Sequence, residues 1–433
     1  MIRLSEPLCK LRIENLTPVS LGGYDTYISR RINGLSIKEP MRLPSLKGVW
    51  RWWMRRYVAG AAWDSHKDEL EAAKYIVNNL LGSIKQASIF GLKIRDEEFK
   101  PLSDGEVRSL KNIARIRLLL RKKKKLEEHI KLEEHIKRFF AKLNATIDFY
   151  ARTKEVGESE CKLAIGSLIT AIRLGGLGKV SRRGFGSFRV EVIDPQEVVR
   201  EVAYLNNALN RPSNLMSVKE ILCKLMGITR KSALQILAEF DSDSSSRYNL
   251  PKIECVSPNL LRLYVMVAPV SLMEALRNID QSVLRAEYYS ITASLIGREN
   301  RPKDPVQYPL AFFIGLPRAQ KVKRNSSGKR VPEVLSWRGY NLGKRRASPL
   351  IYSFLSDIKG KPIISALLFT SLDWPEEITW AGEGEEKKIR IADEKVEWDD
   401  CQRNLKDIFN EIAGYLERYF KRKKWNLMEV PLT

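Results

Sequence analysis

Apolar residues change period along the chain, and each period predicts an element. Lys10–Leu16 (KLRIENL) reads as a strand that runs into a turn with paired glycines, TPVSLGGYDT. Between Pro44 and Gly60, Leu46, Val49, Trp50, Trp53, Met54, Tyr57 and Val58 recur at i, i+3, i+4, i+7, i+8, i+11 and i+12. That spacing lines one face of a helix, with Ser45 as its N-cap after Pro44. A second helix is expected over residues 66–81, and a long polar helical insertion, an exposed hairpin, over about 104–143. The insertion contains RKKKK (Arg121–Lys125), which reads as a solvated charge run or an RNA contact. It also contains KLEEHIKLEEHI (Lys125–Ile136), whose two hexads face about 120° apart and so build no continuous seam.

A strand over Ala145–Thr153 and a helix over Ser159–Arg173 follow. Phe188, Val190 and Val192 then alternate with Arg189 and Glu191, the period of a strand with one buried face. Residues 197–240 read as helical, and DSDSSS (Asp241–Ser246) reads as a linker. A second strand-rich half carries a strand at Leu260–Val267, a helix near 278–296 and the apolar segment Pro309–Pro317. It ends with a strand at Ile363–Phe369 and a helix over Glu394–Tyr419. The pattern divides the chain into 1–205, a helical segment with linker at 206–250, and 251–433.

Between helix and alternating strand stands GGLGKVSRRGFGS, with Gly175, Gly176, Gly178, Gly184 and Gly186 around Lys179, Arg182 and Arg183. Glycine admits positive φ and close backbone approach. Successive N–H groups in such a loop can form a concavity for an anion. A tight loop with merely solvated cations accounts for the same residues, and both readings stand. Neither common nucleotide loop fits. Ser181 stands where the dinucleotide fingerprint needs its third glycine, and GYNLGKR (Gly339–Arg345) has three residues between glycines where the P-loop has four. A related order, glycine then cations then an alternating apolar segment, returns in GKRRASPLIYSFL. That segment ends a stretch, Arg318–Arg346, with ten cations and one acid, Glu333.

Charge sharpens this picture. Lys and Arg number 75 against 52 Asp and Glu, a net +23, and a surplus that large favours a polyanionic partner. No apolar run approaches the roughly 18 residues of a membrane span, and MIRLSEPLCKL has no secretory h-region. The five cysteines form no CxxC pair, so neither a disulfide framework nor a zinc site is indicated. The expectation is a cytoplasmic protein with no cofactor and no membrane partner. On the first helix, Lys47, Arg51 and Arg55 recur every four residues off the apolar face, with Trp52 and Arg56 beside them. A solvated face usually mixes signs, and this row has no acid. Trp50 and Trp53 are assigned to the core, and Trp52 is the candidate for stacking on a base.

Taken in order, LTPVSLGG, PSLKGVWRWWMR, Ile89–Gly91 (IFG), GGLGKVSRRGFGS, GLP and RRASPL resemble the RAMP superfamily of CRISPR proteins, most of all subunit one of the type III-B Cmr effector complex. The resemblance runs from about residue 10 to 360. It implies an α+β fold of two ferredoxin-like, RNA-recognition-motif-like domains, with the helical insertion in the first. It implies a non-catalytic subunit that binds guide crRNA, target RNA or both near the guide 3′ end. Its neighbours would be other Cmr RAMP subunits, especially subunit six. The implied RNA contacts are Lys47, Arg51, Trp52, Arg55 and Arg56 on the helix and Lys179, Arg182 and Arg183 in the loop. Arg338, Lys344, Arg345 and Arg346 belong to the second half of the same set.

A RAMP endoribonuclease and a protein–protein adaptor are the alternatives. A nuclease wants a positioned acid or base, commonly histidine. His129 and His135 lie in the repeat and read as solvent-facing, and His66 reads as a surface residue opening a helix. Asp25, in the glycine turn, could reach RNA or Mg²⁺, and an Asx turn explains it as well.

Overall fold

The computed structural model describes residues 6–21, 29–32, 35–38, 41–113, 116, 132–153, 155–240, 249–283, 313, 348–374, 376–382, 385–392, 394–398 and 401–432. Strand β1 (Cys9–Asn15) leads into a hairpin of β2 (Ser29–Ile32) and β3 (Leu35–Lys38). Helices α1 (Leu43–Asp64) and α2 (Glu69–Leu81) precede β4 (Phe90–Pro101). The insertion holds α3 (Asp104–Leu110) and α4 (Leu132–Phe139) and ends at β5 (Ala141–Ala151). Helix α5 (Glu158–Thr170), a π-helical turn at Ala171–Gly175, the glycine loop and β6 (Phe188–Ile193) complete the unit. Its sheet has the order β4-β5-β1-β6 with every neighbour antiparallel. That is the β-α-β-β-α-β order of a ferredoxin-like domain, with the first and third strands central.

Helix α1 packs on this sheet through the face its spacing predicts. Trp50 and Trp53 are fully buried, Trp50 meets Phe149 edge-on, and its indole N–H donates to the Ala164 carbonyl of α5 at 3.0 Å. The Tyr57 and Thr170 hydroxyls pair at 3.1 Å. Two further helices, α6 (Arg200–Ala208) and α7 (Leu215–Leu237), follow β6. Helix α7 lies against α1 and α5, pressing Thr229 onto Gly166, where any β-carbon would overlap the threonine hydroxyl. The outer edge of β6 is closed by side chains. Asn207 accepts from the Val192 N–H and donates to the Val192 carbonyl, both at 2.8 Å, much as a neighbouring strand would.

The second domain repeats the order. Strand β7 (Leu261–Val267), α8 (Leu272–Ser282), β8 (Leu350–Ile358) and β9 (Lys361–Phe369) come first. A meander of β10 (Glu377–Gly382), β11 (Glu385–Ala392), β12 (Lys395–Trp398) and β13 (Cys401–Asn404) is inserted before α9 (Leu405–Arg422) and β14 (Asn426–Val430). The main sheet runs β14-β7-β9-β8, again antiparallel throughout. Tyr415 and Tyr419 fasten α9 to α8 through the Ser282 and Asn278 carbonyls. The fold is therefore α+β with two ferredoxin-like domains.

Several boundaries differ from the sequence reading. Helix α1 begins at Leu43 with Arg42 in the cap position and Pro44 in its first turn, so Ser45 is inside the helix rather than capping it. Proline suits a first turn because its missing N–H has no partner there anyway. A helix at 272–282 overlaps the start of the one expected near 278–296, and residues 284–296 lie outside the described residues. The last helix starts at Leu405, because Lys395–Trp398 and Cys401–Asn404 pair as β12 and β13. In the insertion, His135 is buried, not solvent-facing, and Val107, Leu110 and Ile136 are buried with it. Asp25, the RKKKK run, His129, Asp241–Ser246 and Arg318–Arg346 lie outside the described residues.

Candidate nucleic-acid interface

Helix α1 presents two polar flanks with different fates. On the first, Lys47 and Arg51 are half-buried and Arg55 is exposed. Arg51 donates to the carbonyls of Leu81 and Gly82 and to Asn78 Oδ1, closing the C-terminal end of α2. Burial lowers the Lys47 ammonium below its ordinary range, and repulsion from Arg152 and Arg51 lowers it further. Burial likewise lowers Arg51, with Arg55 adding to it. Among the described residues, Lys47, Arg51, Arg55 and Arg152 form no ion pair with a carboxylate. The row is thus a set of like charges held together without compensation, and a phosphate would relieve it.

The second flank faces the other domain. Trp52 sits edge-on to Trp53 and to Phe369 of β9, with the Arg56 guanidinium over its ring and Arg182 at 4.8 Å from the ring centroid. Arg56 is buried and paired with Glu254. Burial pulls its guanidinium down and Glu254 opposes that. The expectation of Arg56 as an RNA contact is corrected accordingly: its charge is already matched inside the protein. Trp52, half-buried, is held by ring and guanidinium contacts and is not a bare stacking platform.

The glycine loop is tighter than an open anion cradle. Gly176, Gly178, Gly184 and Gly186 all have positive φ. Amides of Leu177, Lys179, Arg183, Gly184 and Gly186 donate to the carbonyls of Gly186, Ser20, Val180, Ser181 and Pro18. Those five N–H groups hold the loop in place and do not face a ligand. Arg183 is buried and donates to the Leu350 carbonyl at 3.0 Å, while Arg182 donates to the Ser348 carbonyl. Tyr352 N–H in turn reaches the Arg182 carbonyl at 3.1 Å. The two arginines therefore dock the loop on the start of β8, and the expectation that both meet phosphates is corrected for Arg183 by its burial. Next to them, fully buried Arg173 donates to Asn206 of α6, to Asn210 just after it, to Val190 of β6 and to Leu355 of β8.

The open face of the first sheet, opposite its helices, is polar and internally paired. Lys10 meets Asp194 at 2.8 Å, Arg12 meets Glu191 at 3.0 Å, Arg95 meets Asp148 at 2.5 Å and Lys142 meets Glu106 at 3.3 Å. Sequence spacing could not show this, because the partners lie 36 to 184 residues apart in the chain, on other strands, on α3 or just past β6. His66 is exposed, as expected, and lies just before the Asp68 cap of α2. Arg338, Lys344, Arg345 and Arg346 lie outside the described residues. Among the described residues no group of three or more His, Cys, Asp or Glu is placed to hold a metal, and no helix is long and apolar enough to cross a membrane.

Comparison with known proteins adds what the chain is similar to. The chain resembles a chain of the cryo-EM structure of type III-B Cmr-beta bound to cognate target RNA, at 15% identity and a TM-score of 0.62, covering 95% of this chain and 100% of that one. It resembles Cmr1 from Pyrococcus furiosus in the apo form at 18% identity and a TM-score of 0.50, covering 98% of each chain. A Cmr-beta structure bound to cognate target RNA and AMPPnP, in the presence of ssDNA, gives 14% identity and a TM-score of 0.59, covering 96% and 100%. At such identities the likeness is one of fold. No curated protein sequence matches the chain. The family model that does match is that of the RAMP superfamily, over residues 12–189. Those residues span the first ferredoxin-like domain from β1 into β6, α1 and the glycine loop included, and over them the chain is similar to the RAMP superfamily.

Proposed function

We propose that the chain is a non-catalytic, RNA-binding RAMP subunit of a cytoplasmic type III-B Cmr effector complex. Its ligand on this reading is single-stranded guide RNA, target RNA or both, near the guide 3′ end, with a subunit-six RAMP protein as neighbour. The observation that carries the reading is the uncompensated row of Lys47, Arg51 and Arg55 with Arg152, on a chain of net charge +23. Single-stranded RNA is held by such cationic tracks with little sequence preference. The Cmr-beta structures of similar fold contain cognate target RNA, which supports the same ligand class. Lys179, Arg182 and Trp52 flank the track, and Arg338, Lys344, Arg345 and Arg346 are assigned to RNA with them. The proposed units are 1–205, 206–250 and 251–433.

Binding of labelled single-stranded RNA to the isolated chain, measured across a salt series, tests this. Counterion release makes the affinity fall steeply as salt rises. An affinity that does not change between low and physiological salt contradicts the phosphate-contact account. RNA incubated with the chain and Mg²⁺ or Mn²⁺ is expected to stay intact, and cleavage abolished by Asp25→Ala or His66→Ala would make it an enzyme.

A further inference from the structure

A groove opens where the N-terminal end of α1 meets the glycine loop. Arg42, Ser45 and Val49 line it from the helix side, and Ser20, Gly178 and Lys179 from the other. Ser20 is 1% exposed, and its Oγ has no hydrogen-bond partner. Buried hydroxyls are nearly always bonded, because an unmade bond leaves the desolvation cost unmet. The hydroxyl is closed off in the free protein, and a turn of the Ser20 side chain into the groove would let a ligand supply the missing partner.

The loop holds Ser20 in this position. The Lys179 N–H donates to the Ser20 carbonyl at 2.9 Å, and a β-carbon on Gly178 would lie 2.5 Å from that same oxygen. Gly178 also has φ +91°, so a glycine is needed there for the loop to close over Ser20. Facing Ser20, the first turn of the 22-residue helix α1 carries no acid, and its positive end is directed at the groove. The Ser45 and Leu46 amides already close on the Arg42 carbonyl, so the helix contributes its field rather than free N–H groups. Arg42, exposed, and Lys179, half-buried, add two positive charges, and Val49 and Leu177 give the groove an apolar wall.

We infer that this groove is a nucleotide subsite for single-stranded RNA, in which Ser20 Oγ donates to a phosphate oxygen held between Arg42 and Lys179 while the attached nucleoside lies on Val49 and Leu177. The inference rests on the RNA-binding reading above and adds to Lys179 two residues, Ser20 and Arg42, that the sequence motifs do not single out.

Fluorescence anisotropy with labelled single-stranded RNA and the full chain tests it, using wild type, Ser20→Ala and the double variant Arg42→Ala with Lys179→Ala. Ser20→Ala is expected to weaken binding about tenfold, the size of one lost hydrogen bond to a charged group. Its salt dependence stays that of wild type, since no charge is removed. Its melting temperature stays level or rises, since in the free protein the hydroxyl bonds to nothing. The double variant lowers the log–log salt slope by about 1.4 units, about 0.7 for each single-strand phosphate contact. If Ser20→Ala binds like wild type at every salt concentration, the subsite is refuted while the wider RNA reading stands. A Ser20→Ala protein that melts several degrees lower also refutes it, by making the hydroxyl structural. A wild-type chain that binds no RNA sinks both readings together.

Discussion

The first domain carries two cationic faces, and they have opposite electrostatic character. On the open face of the sheet, Lys10, Arg12, Arg95 and Lys142 each meet a carboxylate brought to them by another strand or helix. On the first flank of α1, Lys47, Arg51, Arg55 and Arg152 stand together with no carboxylate among them, and their mutual repulsion is felt by Lys47. Both faces look alike in a count of lysines and arginines. The difference is that the sheet face is already neutralised, whereas the helix face keeps an unmet demand for anions. A net charge of +23 is therefore not spread evenly, and nucleic acid should engage the second face.

The largest expected effect tests that contrast directly. Replacing Lys47, Arg55 and Arg152 together by alanine should weaken single-stranded RNA binding by about two orders of magnitude near 0.1 M salt and flatten the salt slope by about 2 units. Arg51 is left intact because it holds the end of α2. The matched triple variant of Lys10, Arg12 and Arg95 on the sheet face should bind within about twofold of wild type, with an unchanged slope. Equal losses from the two triple variants would erase the contrast and leave only diffuse attraction.

Arg183 tests the boundary between the two roles. It is buried and donates to Leu350 across the junction of the domains. Arg183→Ala leaves that buried carbonyl short of a donor and should cost about 2 kcal/mol of stability, read as a shift of the urea midpoint. The structure thus replaces the view that the loop arginines are exposed charges of little structural weight. A variant of native stability with a weakened RNA affinity would restore it.

What was legible in the sequence follows from how local each cause is. The period of Leu46 to Val58 is local, and every member but half-buried Val49 is buried. The alternation of Phe188, Val190 and Val192 is local, and β6 buries all three. The burial of Arg56 and Arg183 is not local, because their partners Glu254 and Leu350 lie 198 and 167 residues away. One local sign did exist for Arg56: Ala59, Gly60, Ala61 and Ala62 follow it, small residues where Val256 crosses the helix so closely that Gly60 has no room for a β-carbon. Strands β10 to β13 went unread because EEKKIRIADEKVEW is dominated by charge, and those strands are defined by pairing with one another. Ser20 could not be singled out at all. Its significance is a missing hydrogen bond, which only coordinates reveal.

A smaller effect probes the helix backbone between the two flanks of α1. Gly48 is exposed, and a β-carbon there would meet nothing within 4 Å. Glycine inside a helix costs up to about 1 kcal/mol relative to alanine, so Gly48→Ala should stabilise the chain by that amount in thermal or urea unfolding. If RNA lies along the row beside it, the added methyl group stands where the phosphate backbone would approach, and affinity falls several-fold as stability rises. Gain in both would place the RNA elsewhere on the surface.

The smallest effect belongs to the sheet face, and its smallness is the point. Arg12 and Glu191 pair at 3.0 Å across β1 and β6, with side chains 61% and 47% exposed. Water screens such a pair, and ordering two long side chains offsets most of the attraction, so exposed pairs contribute about 0.2–1 kcal/mol. Arg12→Ala alone removes the pair and leaves Glu191 solvated, which should shift stability by no more than about 0.5 kcal/mol. A double-mutant cycle with Glu191→Ala should return a coupling in the same range, shrinking as salt rises. In the RNA assay the pair has a second signature. Glu191→Ala frees Arg12 without moving it, turning one neutralised position of the sheet face into an uncompensated one. If compensation is what separates the faces, this single change should raise RNA affinity slightly, by about twofold, and steepen the salt slope by up to about 0.7 unit. An RNA affinity unmoved by Glu191→Ala, alongside a large loss in the triple variant on α1, would mean that the position of the α1 row, and not its missing carboxylates, makes it the binding face.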